Sequence, residues 1–321
     1  MRLGRLFAAL LFYAGPLCAA GEGLGLPARL TTVDDGRATI HQLFSSFGGV
    51  LERGWELDII AYSQPEDTGY EIPIIALRSA QSGPAIWIIS GIHGEEPAGP
   101  NAIAAAIDDI VAAGELQPIV FIPLGNPHGY VRNWRYLNSP VWSDDTEVQS
   151  VGDSSHLLPD PDNVRQARAA VASSLEAAAI TRYILQKMAE YPPVISIDLH
   201  EDDKIDAGYV YSQGVKGVQE PLATEAVRIL RDNEIPIKLD GYTRFDEKII
   251  SGIVGPVVDS SIDELMGAHE IIVDGVRHSG PGAPVVLVFE TPAGKLPLER
   301  RVRAHAALLK RMLMLVSGSK L

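Results

Sequence analysis

Three strongly apolar runs in this chain each end at a polar side chain, and this pattern restricts the folds open to it. The run AIWIISGI at 85–92 leads directly into His93-Gly94-Glu95-Glu96, VISIDLH ends at His200, and PVVLVFE ends at Glu290. Nearly continuous apolar runs of this length are typical of strands buried on both faces, as in parallel sheets. In open α/β sheets, ligands bind at the carboxyl ends of such strands, so we expect a functional site there.

Segments with helical periodicity alternate with these runs. Helices are predicted at 97–113, where Pro97 opens the helix and Gly114 closes it, and at 166–190, 219–233 and 297–316. Strands are predicted near 55–62 and 70–79, as a hairpin, and at 85–91, 118–124, 194–199, 208–212 and 284–290. This alternation predicts an α/β fold with a mixed, mainly parallel central sheet flanked by helices.

The first twenty residues are typical of a cleaved secretory signal. Arg2 and Arg5 precede an apolar stretch that is too short to span a membrane, and small residues follow at Ala19-Ala20. We therefore expect residues 1–20 to be removed and residues 21–321 to form one catalytic domain, exported to the periplasm or the exterior. Cys18, the only cysteine, would leave with the signal, so the mature chain would have no disulfide.

The charge of the chain argues against two classes of partner. Its formal net charge is -14, and removal of Arg2 and Arg5 with the signal takes it to -16. Such an acidic surface disfavours nucleic acid and anionic membranes. No other apolar stretch approaches membrane length, so we expect no membrane partner after signal cleavage.

His93, Glu96 and His200 could supply three ligands to one Zn²⁺. Two imidazoles and one carboxylate leave the fourth tetrahedral position open for water, as a hydrolytic zinc site requires. Pro97 follows Glu96 directly, so His93 is expected in the loop that leaves the strand and Glu96 at the start of the next helix. The alternative is a helix-capping acid beside a surface histidine. We predict one Zn²⁺ per mature chain, at ~2.0–2.2 Å from the three side chains.

Four segments, in this order, resemble the zinc carboxypeptidases of the M14 type, which include the succinylglutamate desuccinylase and aspartoacylase group. They are SGIHGEEPAG, NPHGY followed by Arg135, IDLH and VFETP, and they span 90–292. The resemblance implies a zinc-ligand set consisting of His93, Glu96 and His200. It also implies that Glu290 is the general base and proton shuttle, and that Arg135 polarises the carbonyl that is attacked.

Elementary chemistry agrees with the role implied for Glu290. A carboxylate at the end of a buried strand is hard to justify structurally, because burying an unpaired charge is costly. Beside an activated water it could accept a proton and later deliver it to the leaving amine. The alternatives are an edge-strand glutamate facing solvent and, for Arg135, a solvated loop arginine with Arg132 as competitor.

The family's Asp-x-Asn-Arg pattern is present only in altered form, as Asp162-Asn163-Val164-Arg165. By resemblance, Asp162 would support a zinc-bound histidine, and Asn163 and Arg165 would hold the terminal carboxylate of the substrate. The asparagine is displaced by one position. The surrounding stretch 134–165 has no clear periodicity, and a loop this long in a compact domain is usually functional.

Other polar and aromatic residues near these motifs are interpreted as structural. The acids after His200 could favour a cationic substrate group, but we favour a solvated loop, and this set comprises Glu201, Asp202 and Asp203. Asp198 is expected to point away from the metal. The family's mobile tyrosine has no evident counterpart, and packing roles are expected for Tyr209, Tyr211 and Tyr242.

The function predicted from these observations is that of an exported zinc-dependent metallocarboxypeptidase, which hydrolyses the C-terminal amide bond of peptides. A zinc-dependent deacylase of N-acyl amino acids would use the same metal and base, so the motifs leave it open. The predicted signal segment favours peptides over N-acyl amino acids as the substrates. A non-catalytic zinc-binding or peptide-binding module is a third alternative, against which Glu290 argues because a binding protein would not need a base.

Overall fold

The computed structural model describes residues 26–27, 30, 33–64, 69–136, 153–159 and 174–317. Its strands are β1 (Glu56–Ser63), β2 (Ile72–Arg78), β3 (Ala85–Ser90), β4 (Ile119–Ile122), β5 (Pro193–Asp202), β6 (Tyr209–Ser212), β7 (Gly241–Tyr242), β8 (Lys248–Ile250), β9 (Ile253–Val254), β10 (Glu270–Val273), β11 (Val276–Ser279) and β12 (Val285–Pro292). Its α-helices are α1 (Ile40–Gly48), α2 (Ala98–Ala105), α3 (Ile107–Gly114), α4 (Pro127–Arg132), α5 (Leu175–Lys187), α6 (Pro221–Asp232), α7 (Ile262–Gly267) and α8 (Leu298–Ser317). Two 3₁₀ turns lie at Gly49–Arg53 and Gly217–Gln219.

Ten strands form one mixed sheet in the order β1-β2-β4-β3-β5-β12-β6-β9-β8-β7. The four central strands β4, β3, β5 and β12 are parallel to one another. The flanking pairs are antiparallel except for β6 with β9. Strands β10 and β11 form a separate hairpin. This arrangement confirms the predicted fold class.

The core lies on both faces of the sheet, because successive side chains of a strand point in opposite directions. On β3, Ile86 and Ile88 pack into a cluster with helices α1, α2, α3, α6 and α8. The alternate residues Trp87 and Ile89 pack into a second cluster with α5 and α7. The central strands are therefore buried on both faces, which explains their continuous apolar sequences.

The predicted elements differ from the observed ones mainly in the helices. The predicted helix 97–113 is two helices, α2 and α3, separated at Ala106, whose φ of -101° and ψ of 14° depart from helical values. Of the predicted helix 166–190, the structure describes 174–190, within which α5 spans Leu175–Lys187. The short helices α1, α4 and α7 and the small strands β7 to β11 were not predicted.

The N-terminal prediction lies outside the described residues, since the structure describes nothing of 1–20 or of Cys18. Among the residues that it does describe, no helix combines the length and the apolar composition needed to cross a membrane.

Candidate active site

The carboxyl ends of β3 and β5 bring together His93, Glu96 and His200, all of which are buried. Nδ1 of His93 lies 2.8 Å from Oε1 of Glu96, and Nδ1 of His200 lies 2.9 Å from Oε2 of Glu96. The two Nδ1 atoms are 3.2 Å apart. Within the described part of the chain, these three residues form the one group whose metal-binding atoms all lie within 4.8 Å of one another.

This donor set fits a tetrahedral zinc ion. Bonds of ~2.0–2.1 Å in a tetrahedral site place neighbouring ligand atoms roughly 3.3 Å apart, close to the spacing of the two Nδ1 atoms. Two ring nitrogens that face each other at 3.2 Å cannot both carry a proton without a clash of charge and hydrogen. A shared cation would relieve that conflict.

A carboxylate holds the far nitrogen of each histidine. Nε2 of His93 lies 3.1 Å from Oδ1 of Asp153, and Nε2 of His200 lies 3.2 Å from Oδ2 of Asp198. An Nε2–H that donates to a carboxylate leaves the Nδ1 lone pair free for a metal. The expectation that Asp198 points away from the metal is therefore wrong. Residues two apart on a strand share a face, so Asp198 lies beside His200.

The ionisation of the three residues reflects this arrangement. Burial acts to lower the pKa of His93, but Glu96 and Asp153 outweigh it and raise that pKa to about 9. Burial also opposes the rise at His200, where Asp198 and Glu96 hold the pKa well above its ordinary value. Burial raises and the two histidines lower the pKa of Glu96, which falls well below its usual range. The carboxylates thus favour positive charge at this point, and a metal would compete there with protons.

The loop that carries His93 packs tightly on α4. A Cβ at Gly94 would lie 1.9 Å from the carbonyl carbon of Gly129, so only glycine allows this approach. Arg37 crosses the contact, where its Nη1 donates to the carbonyl of Gly94 at 3.1 Å and to that of Tyr130 at 2.6 Å. The HGEE and NPHGY motifs therefore contact each other directly.

The turn after α4 directs Arg135 to the metal ligands. The helix begins with a side-chain cap from Asn126 and ends at Arg132, after which Asn133, with a φ of 59°, changes the direction of the chain. The carbonyl of Arg135 then accepts from Nδ2 of Asn126 at 3.0 Å. Its Nη1 donates to Glu96 at 2.9 Å and to Glu95 at 3.0 Å. The alternative arginine, Arg132, instead lies with its guanidinium 4.8 Å from the ring centre of Trp134.

Glu290 lies near the carboxyl end of β12, directly beside β5, the strand that carries His200. It pairs in register with His200 across the parallel strands and lines the same pocket as the three candidate ligands. Its Oε2 is buried and accepts no hydrogen bond from the residues described. Burial, reinforced by Glu96, raises the pKa of Glu290 to about 8, although His200 opposes the rise. Its carboxyl group therefore has a free oxygen facing the pocket.

The pocket around these residues has about 760 Å³ of empty space, including the part open to solvent. Tyr209 and Tyr211 are buried, as expected of packing residues, but their side chains also line this pocket. Tyr242 is exposed. Arg244, between β7 and β8, lines the pocket as well, and its buried Nε has no hydrogen-bond partner among the described residues. Arg244 was not predicted as a site residue, because the strands that flank it are too short to have a measurable periodicity.

We expected the acidic residues after His200 to form a solvated loop, but they do not. Glu201 is buried, forms an ion pair with Arg301 of α8 and accepts from the N–H of Ala98 at 2.8 Å. Asp202 is buried and accepts from the hydroxyl of Tyr209 at 2.8 Å. Only Asp203 is partly exposed, beside Lys204. The expectation was wrong for Glu201 and Asp202 because β5 continues beyond His200.

The altered Asp-x-Asn-Arg segment lies outside the described residues, so the structure gives no position for Asp162, Asn163 or Arg165. The support that the resemblance implied for Asp162 is given to His93 by Asp153, which precedes Asp162 by nine positions.

Comparisons with known proteins agree with this geometry at the level of the fold. A protein of Shewanella amazonensis described as a "putative metallopeptidase" is 21% identical, with a TM-score of 0.66 over 86% of this chain and 93% of that one. Carboxypeptidase A of Helicoverpa armigera is 12% identical, with a TM-score of 0.56 over 88% of this chain and 74% of that one. The chain has the metallocarboxypeptidase fold.

Similarity at the level of sequence is limited. No family model matches the chain. A "Probable carboxypeptidase 2" of Trichophyton verrucosum is 27% identical over 123 residues, which is 36% of this chain and 19% of that protein. The match thus spans less than a fifth of that relative.

Proposed function

We propose that this protein is an exported zinc-dependent metallocarboxypeptidase that removes the C-terminal residue of peptides. One observation carries the proposal: the convergent group of His93, Glu96 and His200 shares a pocket with Glu290 and Arg135. A structural zinc site is closed by four protein ligands, whereas this group offers three and faces a pocket. That arrangement suits catalysis better than structural support.

The proposed zinc would be held by the three convergent side chains. When bound there, zinc would act as a Lewis acid towards a carbonyl and lower the pKa of water towards neutrality. Asp153 and Asp198 would fix the orientation of the two imidazoles through their Nε2 atoms.

Glu290 would transfer the proton in this scheme. Its free oxygen can take a proton from the attacking water and then deliver it to the nitrogen of the leaving amine. The elevated pKa of about 8 suits the second of these steps, since the protonated form persists near neutral pH. Positive charge near Glu290 would favour its ionised form for the first step.

Arg135 would stabilise the negative charge that develops on the carbonyl oxygen. Its guanidinium lies beside Glu96 and lines the pocket, so it can reach a carbonyl placed next to the ligand group. A fixed cation that faces the developing charge needs no reorganisation during the reaction.

An exopeptidase also needs a cation for the terminal carboxylate of its substrate. By resemblance we propose Arg165 for this role, with Asn163. Among the described residues, Arg244 is a second candidate because it lines the pocket with an Nε that has no partner there. A bidentate pair between arginine and carboxylate would set the register of the peptide.

A hydrolysis screen of the purified protein comprising residues 21–321, loaded with zinc, tests this function. The substrates are blocked peptides with a free C-terminus, the same peptides amidated, and N-acyl amino acids, each with and without a chelator. We expect chelator-sensitive release of the last residue from free peptides. Hydrolysis restricted to N-acyl amino acids would establish the deacylase instead, and zinc binding without any hydrolysis would establish the binding module.

The proposed export rests on residues 1–20 and needs its own test. We expect the protein recovered from outside the cytoplasm to begin at Gly21, as read by N-terminal sequencing. A protein that retains residue 1 and remains in the cytoplasm would contradict export without affecting the proposed chemistry.

A further inference from the structure

One wall of the pocket carries carboxylates that form no ion pair within the described part of the chain. Glu247, Asp259 and Asp263 all line the pocket, and none of them forms an ion pair with another described residue. Asp263, at the start of α7, is only 7% exposed. A buried carboxylate without a counter-charge is costly, so a purely structural wall would favour neutral side chains.

The described residues that donate hydrogen bonds to Glu247 and Asp259 are neutral. Oε2 of Glu247 accepts from the hydroxyl of Tyr211 at 2.7 Å and from that of Thr243 at 2.8 Å. Oδ1 of Asp259 accepts from the backbone N–H of Ser261 at 3.0 Å. These bonds orient the oxygens but leave the negative charge in place.

The pKa values of the wall's carboxyl groups also indicate that a cation would be stabilised there. Burial, reinforced by Asp259, raises the pKa of Asp263 to about 7. Burial likewise raises the pKa of Asp259, and the nearby carboxylates of Asp153 and Glu247 add to the rise. Each of these carboxyl groups therefore has further carboxyl groups near it, whereas a nearby cation would stabilise its ionised form.

A second metal ion does not account for this wall. Among the residues described, the convergent group of His93, Glu96 and His200 is the one that brings three ligand atoms within 4.8 Å of one another. The wall's oxygens are spread more widely than a metal of small radius requires. A group with several N–H donors, such as an ammonium or a guanidinium, suits dispersed acceptors better.

We infer that this wall receives the positively charged side chain of the residue that the enzyme releases, with Asp259 and Asp263 as its acceptors. The inference rests on the proposed function and specifies its substrate class. Val288 precedes Glu290 by two positions on β12 and so lies on the same face, opposite Tyr211 in register. These two side chains also line the pocket and offer an apolar path for the alkyl stem of the cationic residue.

The test compares blocked peptides that differ only in charge at the last residue. The pairs are lysine with norleucine and arginine with citrulline, since each neutral residue is close in shape to its charged partner. We expect kcat/KM for the charged member to exceed that for the neutral one by at least about tenfold, as for a charge-assisted hydrogen bond.

Variants locate the preference. Asp263→Asn and Asp259→Asn should each lower kcat/KM for the lysine peptide far more than kcat/KM for the norleucine peptide, and so remove most of the lysine preference. Asp206→Asn serves as the matched control, because its side chain is 69% exposed beside Lys295 and does not line the pocket. If Asp263→Asn does not fold, the inference is tested by Asp259→Asn together with the wild-type ratios of kcat/KM for the charged and neutral peptides.

The outcomes separate the inference from the proposed function. Equal kcat/KM values for the members of both pairs would overturn the inference and leave the carboxypeptidase intact. If no peptide is hydrolysed, binding of free lysine and free norleucine to the zinc-loaded protein is measured by calorimetry. Tighter binding of lysine, lost in Asp259→Asn, would still support the cationic wall, and equal binding would overturn it.

Discussion

Glu290 and His200 lie directly opposite each other in the parallel register of β12 and β5. Because parallel neighbours in register point to the same face, the sheet itself holds the proposed base beside a proposed metal ligand. The rigid centre of the sheet, rather than a loop, therefore sets this distance. A site built in this way keeps its geometry without a conformational change.

Replacing Glu290 with glutamine should abolish most turnover while the protein keeps its metal. The glutamine retains the size of the side chain but cannot accept the proton, so we expect a loss above the roughly 10²-fold that marks the lower end for a positioned base. Metal content and kcat are measured on the same preparation. Glu299→Gln, an exposed change on α8, is the matched control. Wild-type turnover in Glu290→Gln would show that another group is the base.

Asp198→Asn should weaken metal binding, because Asp198 orients His200 through its Nε2. Loss of such a partner typically costs about 10–100-fold in metal affinity. Competition with a chromophoric chelator measures the change. Asp108→Asn provides the control, since that side chain is 87% exposed and lies on α3. An unchanged affinity in Asp198→Asn would mean that the protein fixes the imidazole without this carboxylate.

Amidation of the peptide's C-terminus should lower kcat/KM by at least about tenfold, since it removes the charge that an arginine would bind. Arg165→Ala and Arg244→Ala are compared on free and amidated peptides. The variant that no longer distinguishes free from amidated peptides, but still binds zinc, identifies the arginine that binds the terminal carboxylate. Equal cleavage of both peptides by the wild-type protein would instead indicate an endopeptidase or a deacylase.

His305 should make the folded state sensitive to mild acid. This buried side chain contacts Thr291, and burial, reinforced by Arg301, lowers its pKa from 6.5 to about 3. Between these values the unfolded chain binds the extra proton, so the stabilisation is complete above pH 6.5 and is lost as the pH falls below it. The expected loss between pH 7 and pH 5 is about 2 kcal/mol.

Urea unfolding of the metal-free protein at the two pH values measures this effect. His305→Gln cannot take up the proton, so its free energy of unfolding should fall less than that of the wild type by the stated amount. The comparison cancels the other titrating groups, which both proteins share. Equal falls in the two proteins would show that His305 does not resist protonation.

Much of the fold follows from local sequence. The central strands were predicted to within a few residues because burial on both faces demands continuous apolar runs, as in β3 and β5. Helix α8 was predicted from its apolar stripe. The strands β7 to β9 were not, because segments of two or three residues have no measurable periodicity.

The sequence by itself determined which side chains stand at the ends of buried strands, and so predicted that His93, Glu96 and His200 would meet. Only the tertiary structure decided what surrounds them. Asp153 reaches His93 from a distant segment, and the acidic wall comes from α7, from the loop that precedes it and from the turn between β7 and β8. Such contacts depend on how separate elements pack, and local residue patterns do not encode the distance between segments far apart in the chain.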